Sequence, residues 1–171
     1  MRFTPSFDAG RPSPAPFGHS YVSDVAWYAE DSDLDYFVGH DFMLCRLYQP
    51  LGRALGYLGA ASFDDGWRGE HVWHNVGYPI DVGGGTRPAV QFNQPVEDDD
   101  EDDGGQILET EASLNHGNSG GPFFSWFTDG NIRLCGVVSG DLTFGGDPDN
   151  ALAGGDEMVG LIGWGRATWH A

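Results

Sequence analysis

The chain has 171 residues and a mass of 18.5 kDa, a length that suits one domain or two small lobes and excludes a large multidomain enzyme. Its 40% apolar and 13% aromatic content indicates a folded protein. All eight basic residues are arginines, and against 26 acidic residues they leave a net charge of -18. Such an anion repels phosphate backbones and anionic lipid surfaces, so we expect neither nucleic acid nor membrane as a partner. A high-salt habitat and a biased genome composition both remain explanations of the charge.

Residues 1–18 predict an extended arm, because they hold four of the ten prolines and show no helical periodicity. Order is expected to begin near His19. No apolar stretch of signal-peptide length follows Met1, and no run of 18 apolar residues occurs anywhere in the sequence. The sequence therefore predicts no export signal and no membrane span, and the cell compartment stays open.

Short strands with turns between them follow, and no window carries a helical stripe. This pattern favours an antiparallel barrel or sandwich over βαβ units. The clearest hairpin surrounds Asp129-Gly130, since both residue types tolerate positive φ. The predicted strands are 20–28, 42–48, 56–59, 72–78, 89–94, 106–110, 122–127 and 132–139.

Two cysteines, Cys45 and Cys135, are too few for a disulfide framework and lack the paired spacing of a zinc or redox motif. We expect both to be buried thiols. The acidic run Glu97–Asp103 predicts a solvated loop, with a calcium site as the alternative, although calcium loops interleave their ligands around a sharp glycine turn. No metal site or cofactor is predicted. The tail from Asp141 onward is rich in glycine and gives no clear pattern.

The informative segment is His116–Pro122, which reads HGNSGGP. A serine hydroxyl needs a neighbouring base and oxyanion donors before it becomes a nucleophile. The glycines around Ser119 allow a tight turn that directs the amides of Gly117 and Ser119 at one point. The motif predicts a nucleophilic serine.

GNSGG also satisfies the G-x-S-x-G elbow of α/β-hydrolases, in which His170 would be the base. That elbow needs a strand before the serine and a helix after it. Pro122 and the aromatic residues after it instead predict a strand and a hairpin. The hydrolase fold therefore remains only an alternative.

GNSGGP resembles the nucleophile signature of trypsin-like (chymotrypsin-fold) serine peptidases, within the bacterial branch that includes glutamyl endopeptidases. Three further segments resemble that family in the same order: His40–Gly52, where Asp41 takes the place of the triad aspartate, Gly77-Tyr78-Pro79, and Leu134–Gly140. The resemblance implies an all-β double antiparallel barrel. Its N-terminal barrel would be incomplete, with a remnant at 19–54 and the C-terminal barrel at 55–171.

The resemblance implies a serine endopeptidase acting on a polypeptide, without a cofactor, as an extracellular monomer. Ser119 would be the nucleophile, Asp41 would orient a histidine, and the Gly117 and Ser119 amides would form the oxyanion hole. Ser113 would form the pocket floor, and Val138, Ser139 and Gly140 its wall. These residues carry no charge, so we expect cleavage after uncharged, medium-sized side chains.

The family order is His, Asp, Ser, yet no histidine ahead of Asp41 has the family's setting. His19 is too close to the aspartate, and His40 is its neighbour, whose side chain points the opposite way on extended backbone. His71, His74, His116 and His170 come too late. A start site downstream of the true one and a homologue that binds peptides without catalysis are the two explanations. Without the first strands the N-terminal sheet has an open edge prone to aggregation, which a chain selected to function at this length would be expected to protect, so we favour the misplaced start site.

Two departures narrow what the resemblance implies. Asn118 replaces the aspartate that pairs with a new amino terminus in zymogen-activated members, and an amide cannot form that ion pair. Val138 stands where glutamyl endopeptidases have a histidine that recognises acidic side chains. Activation by that ion pair and specificity for glutamate are therefore not expected.

Overall fold

Two antiparallel sheets make up the fold in the computed structural model, which describes residues 1–28, 38–102, 105–142 and 149–169, without the side chains of 102, 141, 142 and 149. The N-terminal sheet has the order β1-β2-β3. The strands are β1 (Arg2–Phe3), β2 (Ser20–Ala26) and β3 (Leu44–Leu47). Strands β2 and β3 lie within the predicted ranges.

The C-terminal sheet has the order β6-β5-β9-β10-β11-β8-β7, and the short strand β4 pairs in parallel with β10. Its centre, formed by β9, β10 and β11, lies beneath the candidate site. The strands are β4 (Gly59–Ala60), β5 (Trp73–Gly77), β6 (Ala89–Gln94), β7 (Asp98–Asp102), β8 (Gly105–Thr110), β9 (Pro122–Trp126), β10 (Ile132–Leu142) and β11 (Asp149–Gly154).

The N-terminal arm is more ordered than the sequence predicts. Strand β1 pairs with β2, so order does not begin at His19. Farther along, the Ala9 N–H donates to Thr86 O at 3.0 Å and Tyr78 Oη–H donates to Phe7 O at 2.9 Å. Burial, with the nearby carboxylate of Asp8, raises the pKa of Tyr78. The arm thus lies across the loop that follows β5.

One hydrophobic core lies inside the C-terminal sheet. Trp73 and Phe123, on neighbouring strands, stack with ring centroids 6.2 Å apart. Leu108, Leu152 and the Cys135 side chain are fully buried beside them. Burial raises the pKa of the Cys135 thiol far above its usual range, so this sulfur stays protonated and unreactive. The prediction of buried thiols is correct for Cys135, whereas Cys45 is only half-buried.

The acidic run forms a strand and not the predicted loop, although most of its described side chains are exposed to solvent as expected. Strand β7 pairs with β8 in register from Asp98–Glu109 to Asp102–Gly105. Arg68 bonds Asp98 at 2.6 Å and Asp99 at 2.5 Å, which offsets part of the repulsion. The remaining charge suits an edge strand, because charge discourages pairing with a second chain. Among the described residues, no group of three or more His, Cys, Asp or Glu side chains is placed to hold a metal ion.

The glycine-rich tail, for which the sequence showed no clear pattern, forms β11 and then a helix, α2 (Gly155–Thr168). Asp156 and Glu157 occupy the first helical turn, where carboxylates are favoured by the helix dipole. Ser62 Oγ–H donates to Asp156, and the Glu157 carboxylate contacts His40 Nε2. The described helices also include α1 (Gly52–Leu55) and 3₁₀ turns at Val38–His40 and Asp65–Trp67. No helix in the described part of the chain is long and apolar enough to cross a membrane.

Candidate active site

The Ser119 turn is fixed to strand β10 on its C-terminal side. The Gly120 N–H donates to Val138 O at 2.7 Å, and the Val138 N–H donates to Gly121 O at 2.9 Å. Gly121 N–H also closes the turn on Asn118 O at 2.8 Å. Ser119 itself is exposed at the tip. The serine therefore sits on a rigid scaffold with its hydroxyl accessible.

The residues before Ser119 are held by the loop that follows β5. Tyr78 N–H donates to Gly117 O at 3.2 Å, and Ile80 N–H donates to His116 O at 2.8 Å. Gly117 has a φ of 100°, and a Cβ there would overlap the Tyr78 carbonyl oxygen. Only glycine can adopt this positive φ and also leave room for the Tyr78 carbonyl oxygen without strain.

The Gly117 and Ser119 amides are the predicted oxyanion donors. Among the described residues, neither N–H donates to a backbone or side-chain acceptor, whereas the Asn118 N–H between them donates to Asn115 O at 3.1 Å. Two N–H groups on either side of a satisfied one are thus available to an incoming oxygen, which is the requirement for stabilising an oxyanion.

Asn118 has a structural position that the sequence did not reveal. It is 2% exposed, and its Nδ2 donates to Asn115 O at 3.1 Å. Its side-chain oxygen faces Gly77 so closely that no Cβ would fit there. The amide therefore stabilises the turn beneath the serine, with hydrogen bonds and packing rather than an ion pair.

Asp41 is joined to β10 by Ser139, which was predicted to form part of the pocket wall. Ser139 Oγ–H donates to Asp41 Oδ2 at 2.7 Å. Asp41 directly follows the 3₁₀ turn at Val38–His40, and its N–H donates to Val38 O at 3.3 Å. Since Ser139 directly follows Val138, whose N–H and carbonyl hold the serine turn, Asp41 and Ser119 lie beside the same stretch of β10. The Asp41 side chain is exposed.

A cavity of about 670 Å³ opens beside Ser119. Four predicted site residues line it, namely Ser119, Val138, Ser139 and Gly140. Its remaining lining residues come from the β5–β6 loop and the segment before the serine: Ile80, Asp81, Leu114, Asn115 and His116.

Ser113 is not part of this lining. Its side chain is exposed, and its backbone exchanges two hydrogen bonds with the Gln91 side chain, at 3.1 and 2.6 Å. Its role as a pocket floor stays a prediction. The Asp141 side chain, considered as a nearby anion, lies outside the described residues.

The sequence did not single out Asp81, which adds a carboxylate to the lining of the cavity. Specificity for uncharged side chains stays a prediction. Asn115 Nδ2 donates to Asp81 Oδ2 and joins the two parts of the lining. No motif marks Asp81, because only the folded loop brings it to the cavity. A usable signal was its position two residues after Gly77-Tyr78-Pro79, the segment that resembles the family.

None of the described histidines bridges Ser119 and Asp41 by hydrogen bonds. His40 contacts Glu157, His71 Nδ1 lies 3.2 Å from Asn93 O, and His74 lies among aromatic rings on β6 and β9. His19 packs edge-on against Tyr21. His116 lines the cavity but has no hydrogen bond to Ser119. His170 lies outside the described residues.

The surroundings of Ser119 contradict the α/β-hydrolase alternative. Ser119 is followed within three residues by β9, not by a helix. Strand β9 pairs antiparallel with both β5 and β10. A nucleophile elbow requires a strand before the serine and a helix after it, so this alternative is wrong.

The sequence matches no protein-family model, and no curated protein matches it. A solved structure does match: a Glu endopeptidase in complex with MPD, with a TM-score of 0.74 and 15% sequence identity. The superposition covers 98% of this chain and 72% of the endopeptidase chain. At that identity the likeness shows the fold, and it confirms the all-β, trypsin-like architecture predicted from the motifs.

Proposed function

We propose that this chain carries the nucleophile side of a serine endopeptidase site. Ser119 Oγ attacks a peptide carbonyl and forms an acyl-enzyme, while the Gly117 and Ser119 amides hold the oxyanion. Asp41 orients the histidine that takes the hydroxyl proton and returns it to the leaving amine. Val138, Ser139 and Gly140 contact the polypeptide, and the chain acts as a monomer without a cofactor.

The observation that carries the proposal is the 2.7 Å hydrogen bond from Ser139 to Asp41. It fixes a carboxylate to the strand that also positions the Ser119 turn and lines the cavity. The bond joins the exposed Asp41 side chain to a half-buried residue of the central strand. The two unbonded amides on either side of Asn118 support the same chemistry.

Catalysis also needs a general base, and none of the described histidines is hydrogen-bonded to Ser119 or Asp41. Loss of the triad histidine lowers turnover by about 10⁶-fold even where the nucleophile and oxyanion donors remain. We therefore expect the 171-residue chain on its own to react slowly. Efficient hydrolysis requires a histidine supplied beside Asp41.

The test is covalent labelling with a fluorophosphonate probe, with the modified residue located by peptide mass spectrometry. We expect slow, stoichiometric labelling at Ser119 that is lost in Ser119→Ala. Ser23→Ala, which changes a serine on β2, serves as the control and should label like the unaltered chain. Labelling spread over several serines, or retained in Ser119→Ala, would contradict the proposed nucleophile.

A second candidate is polypeptide binding without catalysis. The exposure of the Asp41 carboxylate favours it, because no described imidazole covers that group. Isothermal titration with peptides separates the two. Measurable binding with no labelling even at long times would favour the binding protein, and labelling at Ser119 would favour the peptidase.

A further inference from the structure

The charge of the Ser119 cavity is one-sided. Its lining contains the Asp81 carboxylate, and none of the eight arginines belongs to it. Asp41, bonded to Ser139 on the same wall, adds a second carboxylate close by. An acidic side chain in this cavity would meet one carboxylate in the lining, a second beside it and no arginine, so these charges disfavour it.

Asp81 is held in position relative to the nucleophile. The Ile80 N–H donates to His116 O at 2.8 Å, so the backbone before Asp81 is fixed to the segment that leads into Ser119. Asn115 Nδ2 donates to Asp81 Oδ2, which orients the carboxylate and leaves Oδ1 for another donor. The carboxylate is thus oriented before any ligand binds.

The rest of the cavity offers an apolar surface beneath this charge. Leu114 and Val138 are 6% and 5% exposed and line the inner part, whereas Asp81 is exposed at the rim. Lysine and arginine bury their methylene chains along apolar surface while the charged end stays near water. A long cationic side chain therefore matches both the apolar inner lining and the carboxylate at the rim. A medium-sized apolar side chain matches only the apolar lining.

We propose that Asp81 is a specificity-determining residue that selects polypeptides with an arginine or lysine in this cavity. The proposal rests on the proposed function, because it assigns the substrate class of the same site. It replaces the uncharged residue expected from Ser113 and Val138. Since the Asp81 carboxylate is exposed, we expect a preference of about three- to fivefold.

The experiment compares two peptides that differ in one residue, arginine or the neutral, nearly isosteric citrulline, placed in turn at four central positions of an alanine-rich hexapeptide. Their affinities are measured by fluorescence anisotropy on the full chain. At one position the arginine peptide should bind about three- to fivefold more tightly. The preference should disappear in Asp81→Asn, whose Oδ1 still accepts from Asn115.

A chain with this net charge attracts cations at long range, so the control is a matched charge change elsewhere. Asp100→Asn reduces the net negative charge by the same amount as Asp81→Asn, but on β7, three strands away from β10 in the sheet. The arginine preference should persist in that variant. A preference lost equally in both variants would show long-range attraction and overturn the proposal.

The remaining outcomes separate this proposal from the proposed function. Equal affinities for arginine and citrulline at all four positions would overturn the role of Asp81 while leaving peptide binding intact. Tighter binding of a glutamate peptide would overturn it as well. Failure to bind any peptide, together with no labelling at Ser119, would overturn both.

Discussion

Gly117 shows how a single residue sets the geometry of the nucleophile turn. Its φ of 100° lies where side chains are strained, and the Tyr78 carbonyl occupies the space of a Cβ. Gly120, on the other side of Ser119, also has positive φ, at 76°, but nothing lies within 4 Å of its Cβ position. A side chain at Gly120 would therefore cause backbone strain alone, whereas one at Gly117 would also collide with the Tyr78 carbonyl oxygen.

We expect Gly120→Ala to lower the free energy of unfolding by about 1 kcal/mol, the strain of a left-handed residue. Gly117→Ala should lower it by more, because the Tyr78 loop must also move, and should slow labelling of Ser119 through the displaced amide. Urea unfolding of both variants measures the difference. Equal destabilisation would show that the Tyr78 contact is unimportant.

His74 brings a titratable group into the apolar face of β5. It is 8% exposed, and its ring centroid lies 5.0 Å from that of Trp126. The Asn93 N–H donates to His74 Nδ1 at 3.1 Å, which requires that nitrogen to be unprotonated. Burial lowers the pKa of His74.

Because the folded-state pKa of His74 is lower than the unfolded value of about 6.5, the unfolded chain binds the proton first as the pH falls. Stability should therefore decrease as the pH falls below about 6.5. His74→Gln should show a smaller decrease between pH 7 and pH 5. His71→Gln, an exposed histidine that lies beside Asn93 O, is the control in urea unfolding at both pH values. A pH dependence unchanged in His74→Gln would exclude this role.

At the scale of elements, the strands were the predictable part. The predicted range 89–94 coincides with β6, and the ranges for β5, β8 and β9 are correct to within one residue at each end. Alternating side chains mark such strands directly. Strand β7 was not predicted, because a continuous acidic run shows no alternation of apolar and polar residues. Its pairing depends on contacts with β8 and Arg68.

Helix α2 was not predicted from the sequence, for a different physical reason. Glycines occupy its first position, 155, and three interior positions, 160, 163 and 165, and two of its buried positions are glycines. A stripe built partly from glycine has no hydrophobic signal. Packing against Leu44 and the C-terminal sheet stabilises the helix. In the same way, Ser119 and Asp41 were found from motifs, whereas the Ser139–Asp41 bond and Asp81 depend on long-range contacts.

Helix α2 offers a matched pair of substitutions. Gly163 is exposed with nothing within 4 Å of its Cβ position, so Gly163→Ala should stabilise the chain by up to about 1 kcal/mol through helix propensity. Gly165 is buried with Leu44 Cδ2 in the space of a Cβ, so Gly165→Ala should destabilise it. Thermal unfolding measures both. Stabilisation by Gly165→Ala would contradict the packing of α2 on β3.

For the whole molecule, the dominant property is the net charge of -18. With eight arginines against 26 carboxylates, ion pairs such as those of Arg11, Arg46, Arg68 and Arg133 can neutralise only part of this charge. Self-repulsion destabilises a compact anion, and salt screens it as the Debye length falls from about 10 Å at 0.1 M to about 3 Å at 1 M. Added sodium chloride should therefore raise the unfolding temperature. A decrease would show that the ion pairs dominate.

We propose that Ser119 and Asp41 form a serine-peptidase site, and within the described residues no histidine bridges the two by hydrogen bonds. Chemical rescue tests it most directly: the rate of fluorophosphonate labelling at Ser119 is measured against added imidazole, in the unaltered chain and in Asp41→Asn. We expect the rate to rise with imidazole concentration, and to rise much less in Asp41→Asn, because the carboxylate no longer orients the added base. A rate independent of imidazole, or an equal rise in the two chains, would contradict the proposed role of Asp41 at the Ser119 site.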